Sequence, residues 1–457
     1  MIQAAFAQSG PGVDANTLPD VDYADFTLST FQNYVDHNDQ TKGTFSQRYW
    51  MMDKYWTDTN GPNFIYFCGE YVCSPPDERH FPFQVGANMG ARMFVIEHRY
   101  YGESQPMPDW SVPNLSLLNS EQALADFAYF LQQQNLDMPS RQTIVIGGSY
   151  PGALSAWFRY TYPDIAVASW ASSAVVQPWA DMWTYDEQIY QTTHNISPDC
   201  TATLQRFENY ATQQAILRDA GEPNQIDDIL KSTPGEGMRT DDFMAYLGDF
   251  PAGYVQYGDA SHFCDIWADY TDMDEYDLFI AAVYYQYNQG DFPWYYNTAP
   301  GSPIQSTVID TTASDRQWTW QYCREFGWFQ VASHLHRVRS QMVDYEYFAN
   351  QCNEIFGLDM NIYPDVAYTE SQYGGGNRIN ASNIFFANGG EDPWKWVTQL
   401  ENRPDINQPS VISECVGCAH CAELYTPEAS DPQNLKNTRQ QVYDWIYAIL
   451  NPSTQTQ

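Results

Sequence analysis

The chain has 457 residues and carries 57 acidic against 21 basic side chains, a formal net charge of −36. Such a surface repels phosphate backbones and anionic lipid headgroups, which excludes nucleic acid and anionic membrane as partners. No apolar run approaches the roughly 18 residues of a membrane span, while a 43% hydrophobic content is ample for a core and the length exceeds one usual domain.

Taken in chain order, the N-terminal Met1 to Gln8 lacks the basic start and apolar length of a signal peptide, although Ala5-Phe6-Ala7 resembles the small-residue end of one. Whether a leader was removed stays open. From about residue 63 to 175, strand-like runs (Phe64 to Phe67, Met93 to Ile96, Thr143 to Ile146, Ala166 to Trp170) alternate with helical ones. This alternation predicts a parallel sheet covered by helices. One helix starts with Ser120 as its cap and places Leu124, Phe127, Ala128 and Leu131 on one face. Between about 180 and 375 the strand signal fades into polar, aromatic, helix-compatible segments, as expected of an inserted helical domain. From about 378 strands return (Asn383 to Ala387, Ser410 to Ser413), followed by an amphipathic helix carrying Val442, Trp445, Ile446 and Ile449. The expected division is 1–180 and 378–457 for an α/β domain in two parts, with 181–377 as the insertion.

Gly147-Gly148-Ser149-Tyr150-Pro151-Gly152, between a buried-strand pattern and a helical one, reads as a nucleophile elbow. A serine on so sharp a turn needs small neighbours, and Pro151 suits the first helical turn. In hydrolases of the α/β type the acid and then the histidine follow the serine, each on a loop at the carboxyl end of a strand. Beyond His336 the only histidine is His420, just after the Ser410 to Ser413 run, and Asp392 follows the Asn383 to Ala387 run. The imidazole takes the hydroxyl proton, and the carboxylate fixes its tautomer. The Tyr150 N–H, next after the nucleophile, is one oxyanion donor.

Glu97-His98-Arg99-Tyr100-Tyr101-Gly102-Glu103-Ser104, the elbow, and Asn388-Gly389-Gly390-Glu391-Asp392-Pro393-Trp394 together resemble the serine carboxypeptidase S28 family over roughly residues 45 to 180 and 378 to 425. The resemblance implies an α/β-hydrolase fold with an inserted, mainly helical cap domain and no cofactor or metal. It also implies a serine peptidase that cleaves proline-containing peptides or proteins on the carboxyl side of proline, at acidic pH. Carried over residue by residue, the triad falls on Ser149, Asp392 and His420, and Trp394 lines the proline pocket, the other reading of Trp394 being core packing beside Pro393. The second oxyanion donor is expected in Gly69-Glu70-Tyr71, at the Glu70 N–H, where relatives carry a Gly-Asn-Glu-Gly type sequence. The Glu70 side chain could instead contact a substrate amine or hold the loop. For acid activity, burial beneath the cap has to bring the His420 pKa below its ordinary value. Whether cleavage is carboxypeptidase, dipeptidyl or internal stays open, as does a homodimer.

The same resemblance pairs Cys323 with Cys352, which leaves Cys200 with Cys264 in that region, and Cys68 lies close enough to Cys73 to pair locally. Cys415, Cys418 and Cys421 bracket His420, and an odd total of 9 leaves at least one thiol unpaired within the chain. With His420 they also read as a zinc set. Cysteines, scarce lysine and the sequons at Asn114, Asn195 and Asn380 favour a secreted or lysosomal/vacuolar protein. The rival functions are a non-peptidase esterase or lipase with the same triad, and a binding protein without activity.

Overall fold

Eight strands form the central sheet of the computed structural model: β1 (Thr27–Tyr34), β2 (Thr44–Met52), β3 (Asn63–Phe67), β4 (Arg92–Ile96), β5 (Thr143–Gly148), β6 (Ala168–Ser172), β9 (Ile384–Gly389) and β10 (Ser410–Ser413). Two more, β7 (Trp179–Asp181) and β8 (Gly327–Phe329), pair separately. The structure describes residues 12–452 apart from 19, 57, 59, 76–78, 234, 236 and 289–296, so the leader-like Met1 to Gln8 lies outside the described residues. The sheet order is β1-β2-β4-β3-β5-β6-β9-β10, with β1 and β2 antiparallel to their neighbours and all later pairs parallel. This is the α/β-hydrolase fold.

The central strands alternate their side chains between two layers. Ile65, Phe67, Phe94, Ile96, Val145 and Phe386 face one layer, and Phe64, Tyr66, Met93, Val95, Ile144 and Phe385 face the other. Both layers are covered, which is why these strands read as unbroken apolar runs. Helix Tyr150–Thr161 covers the first layer, and helix Gln433–Leu450 covers the second through Val442, Tyr443, Trp445 and Ile446.

Three local expectations are corrected. No strand was expected before residue 63, yet β1 and β2 form an antiparallel edge, from Thr27↔Met51 to Tyr34↔Thr44. They are partly exposed and rich in Ser, Thr, Gln and Asn, the one apolar run being Tyr49 to Met52 at the end of β2. β6 starts two residues later than its pattern indicated, at Ala168 paired with Ile144. The helix Ser120–Gln133 is capped by Asn119, whose side chain accepts the Gln122 N–H at 2.9 Å. Ser120 sits inside the helix with its hydroxyl 2.7 Å from Glu325.

Between β6 and β9 the described chain is mainly helical, with long helices at Thr184–Ile196, Pro198–Asp219 and Thr240–Gln256. The exception is the parallel pair β7 and β8, too short to leave a strand signal. Leu204, Phe250 and Trp267 of this region join the same hydrophobic cluster as Ile65 and Phe94 of the sheet. The chain bonds Cys68–Cys73, Cys200–Cys264, Cys323–Cys352 and Cys415–Cys418, and leaves Cys421 free and buried. Asn195 and Asn380 are exposed, whereas Asn114 is half-buried with its amide on Asp109 at 2.7 Å. No helix among the described residues is long and apolar enough to cross a membrane.

Replacing Asn119 by Ala removes the acceptor for one N-terminal amide and is expected to cost about 1 kcal/mol. Urea unfolding of the two proteins side by side measures it, with an unchanged midpoint counting against the cap.

Candidate active site

The chain leaves β5 through Ser149, whose φ of 66° and ψ of −129° lie where a side chain is strained. The turn survives because its neighbours have no Cβ. One added at Gly147 would meet the Pro151 carbonyl oxygen at 2.1 Å, and one at Gly152 the Ser172 oxygen at 2.5 Å. A hydrogen bond from Ser149 N to Ser172 O at 2.9 Å ties the elbow to β6. Gly69, after β3, lies so near the elbow that a Cβ would come 2.5 Å from the Pro151 ring.

The loops at the carboxyl ends of β6, β9 and β10 are joined in turn. Ser173 N donates to Ala387 O at 2.7 Å, Cys421 N to Ser173 Oγ at 2.8 Å, and Glu391 N to Cys418 O at 3.0 Å. Ser173 and Cys421, like Ser149, have positive φ. Within this frame the imidazole of His420 holds Asp392 Oδ2 at 2.8 Å through Nδ1, both groups being buried. Asp392 Oδ1 accepts the Trp394 N–H at 2.9 Å, so both carboxylate oxygens are engaged. The donor role of Nδ1 leaves Nε2 as the nitrogen with a free lone pair.

Ser149, Tyr150, Glu70 and Trp394 line one cavity of about 300 Å³, together with Val175, Tyr185, Asp249, Gln256, Trp318 and Trp328. Trp394 joins this cavity to the His420–Asp392 pair, its ring 6.3 Å from the imidazole and edge-on to Tyr185 and Trp328. No hydrogen bond joins Ser149 Oγ to the imidazole. Glu70 has one oxygen, Oε2, buried without a hydrogen-bond partner. Burial pushes its pKa up, against the pull of His420 and Arg79. The zinc arrangement is not formed, because Cys415 and Cys418 are bonded to each other and His420 is turned to Asp392.

Several residues of the site carry no motif. Tyr185, Gln256, Trp318 and Trp328 come from the region between β6 and β9, where only their aromatic richness was visible. His98 was visible as part of a motif, and its contacts explain the motif. Its Nε2 lies 3.1 Å from the Tyr150 hydroxyl, which also accepts Gln321 Nε2 at 2.9 Å. Arg99 pairs with buried Asp126 at 2.6 Å, and Glu97 accepts Arg48 Nε at 2.9 Å and Ser104 Oγ at 2.6 Å. Burial lowers the His98 pKa to about 4, so this ring stays neutral beneath the elbow.

The electrostatics reverse one expectation. Burial does oppose a charged His420, but the Asp392 carboxylate, with Cys421, outweighs it and raises the imidazole pKa well above its ordinary value. A base of this kind loses its proton, and gains competence, only as pH rises. Elsewhere burial raises Asp186 and Asp242 to about 6 and Glu325 to about 7. These carboxyls hold protons in the folded state that the unfolded chain has released. Their stabilisation, like that of His420, is therefore lost as pH rises through the folded pKa values. The melting temperature is expected to fall between about pH 4 and pH 7 while kcat/KM rises. Calorimetry and initial rates in the same buffers test the pair, and both curves moving together would contradict it.

The family model described as serine carboxypeptidase S28 matches residues 32–442. A probable serine protease of Arabidopsis thaliana is 30% identical over 410 residues, covering 86% of this chain and 80% of that one. The thymus-specific serine protease of Homo sapiens is 27% identical over 474 residues, covering 98% and 90%. The lysosomal Pro-X carboxypeptidase of Homo sapiens is 26% identical over 447 residues, covering 90% and 85%.

Proposed function

The chain belongs to the serine carboxypeptidase S28 family and is a serine peptidase, and we propose that it cleaves peptides on the carboxyl side of proline through Ser149, His420 and Asp392. The observation that carries this reading is the 2.8 Å bond from His420 Nδ1 to Asp392 Oδ2, which leaves Nε2 to act as the base. Ser149 Oγ attacks the scissile carbonyl carbon as Nε2 takes its proton. The negative oxygen of the tetrahedral intermediate is received by the N–H groups of Tyr150 and Glu70. The imidazolium returns the proton to the leaving amine, and water then releases the acyl group by the same steps. Asp392 keeps the ring in its working tautomer and stabilises its charge.

Proline selection rests on Trp394, with Tyr185 and Trp328 at right angles to it, giving a flat apolar wall for a pyrrolidine ring. The name of the lysosomal Pro-X carboxypeptidase relative supports the same specificity. In this reading residues 181–377 act as the cap over the 1–180 and 378–457 parts. Four disulfides and the exposed sequons at Asn195 and Asn380 support a secreted or lysosomal setting. Acidic pH favours the fold through its protonated buried carboxyls, whereas the raised His420 favours hydrolysis at higher pH.

Digestion of proline-containing peptides, blocked and free at each end, followed by mass spectrometry tests the specificity and reports the cleavage mode. Cleavage without regard to proline would remove it. Ser149→Ala is expected to lower kcat by a factor on the order of 10⁶, and Asp392→Asn by about 10⁴. Retention of a few per cent of activity by Ser149→Ala would contradict its assignment. For Trp394→Ala, kcat/KM should fall much further on prolyl than on alanyl substrates, and equal losses would make Trp394 a packing residue.

A further inference from the structure

Helix Thr240–Gln256 ends at the cavity, and its last residue makes three contacts that meet nowhere else. Gln256 Oε1 accepts the indole N–H of Trp394 at 2.8 Å and the hydroxyl of Tyr185 at 2.8 Å. Its backbone carbonyl accepts the N–H of His420 at 3.0 Å. One residue from the helical region therefore holds the base, the aromatic wall and the ring packed against that wall.

The orientation of the amide is decided by chemistry. An indole N–H can only donate, so the atom facing Trp394 is the oxygen. With both lone pairs of Oε1 occupied, Nε2 is turned away from Trp394 and Tyr185. Its two N–H donors have no hydrogen-bond partner among the described residues, and Gln256 lines the cavity that contains Ser149. A peptide entering there brings backbone carbonyls that lose water and need donors.

We propose that Gln256 is a specificity-determining residue of this site: Oε1 fixes the plane of Trp394 against the substrate ring, and Nε2 donates to a backbone carbonyl of the bound peptide. The proposal rests on the proline-directed reading and adds to it the group that sets the wall and a polar anchor beside it. The backbone bond to His420 does not depend on the side chain, so the two roles separate by substitution.

The test uses the full chain with Gln256→Leu, Gln256→Glu and Tyr185→Phe, prolyl and alanyl peptides matched otherwise, and labelling by a small fluorophosphonate. Gln256→Leu removes acceptor and donor. Its kcat/KM on prolyl peptides should fall by about 100-fold, with the prolyl-to-alanyl ratio dropping about tenfold, as expected when the bonds to Trp394, Tyr185 and the substrate are lost at a half-buried residue. Gln256→Glu keeps an acceptor for both partners, so it should restore the ratio while KM stays raised by roughly tenfold on both peptides. Tyr185→Phe leaves the donor and loosens the wall, and should lower the ratio severalfold without the KM effect. It also keeps the first role testable if Gln256→Leu does not fold.

A Gln256→Leu enzyme with the wild-type ratio would overturn the first role, and a Gln256→Glu enzyme with wild-type KM would overturn the second. Loss of fluorophosphonate labelling in step with peptide hydrolysis would make Gln256 a support of the His420 loop only, and the proposal would fall. A wild-type enzyme indifferent to proline would remove the proline-directed reading and the first role with it. The KM of Gln256→Glu would then still decide the second.

Discussion

Ser149 occupies a backbone conformation that costs a non-glycine residue on the order of 1–3 kcal/mol, and the surrounding structure is what prevents it from relaxing. Gly147 and Gly152 let Pro151 and Ser172 close to distances no Cβ would permit, and Gly69 brings the turn after β3 onto the same elbow. The strain has a chemical use. It leaves Ser149 on the cavity wall at the start of helix Tyr150–Thr161. The buried pair of His98 and Tyr150 beneath the turn keeps the residue after the nucleophile from shifting.

The other half of the site depends on how four loops are tied together. Strands β5, β6, β9 and β10 are parallel neighbours, so their carboxyl ends lie side by side and their loops can bond to one another. The chain of contacts from Ser172 through Ser173 to Cys421 puts the serine and histidine loops in one frame. Gln256 adds a tie from the helical region to the backbone of His420. Charge then divides the working conditions. Asp392 raises His420, which in the proposed mechanism favours hydrolysis at higher pH, whereas Asp186, Asp242 and Glu325 favour the folded state at lower pH.

Much of this was legible in the sequence, for identifiable reasons. Strands buried on both faces advertise themselves as apolar runs, and a serine set among glycines between strand and helix is the pattern a nucleophile elbow demands. Asp392 could be picked out because it follows such a strand, and His420 because no other histidine comes after His336. β1, at the sheet edge, and β2 beside it were missed because partial exposure permits Ser, Thr and Gln there. Asn119 was missed as the cap because Asn and Ser stand next to each other and both cap well. Gln256, Tyr185 and Trp328 could not be found, since they are ordinary residues of helical or short-strand segments that meet only through the tertiary fold. The condition for acid activity, a His420 lowered by burial, is not met because the carboxylate 2.8 Å away outweighs burial.

The most direct measurement is mass-spectrometric mapping of the native protein after reaction with a fluorophosphonate, with the labelling rate followed against pH. One adduct is expected, on Ser149, formed at a rate that rises with pH as His420 loses its proton and that collapses when Asp392 is replaced by Asn. An adduct on another residue, or labelling of Ser149 that ignores both pH and Asp392, would contradict the triad.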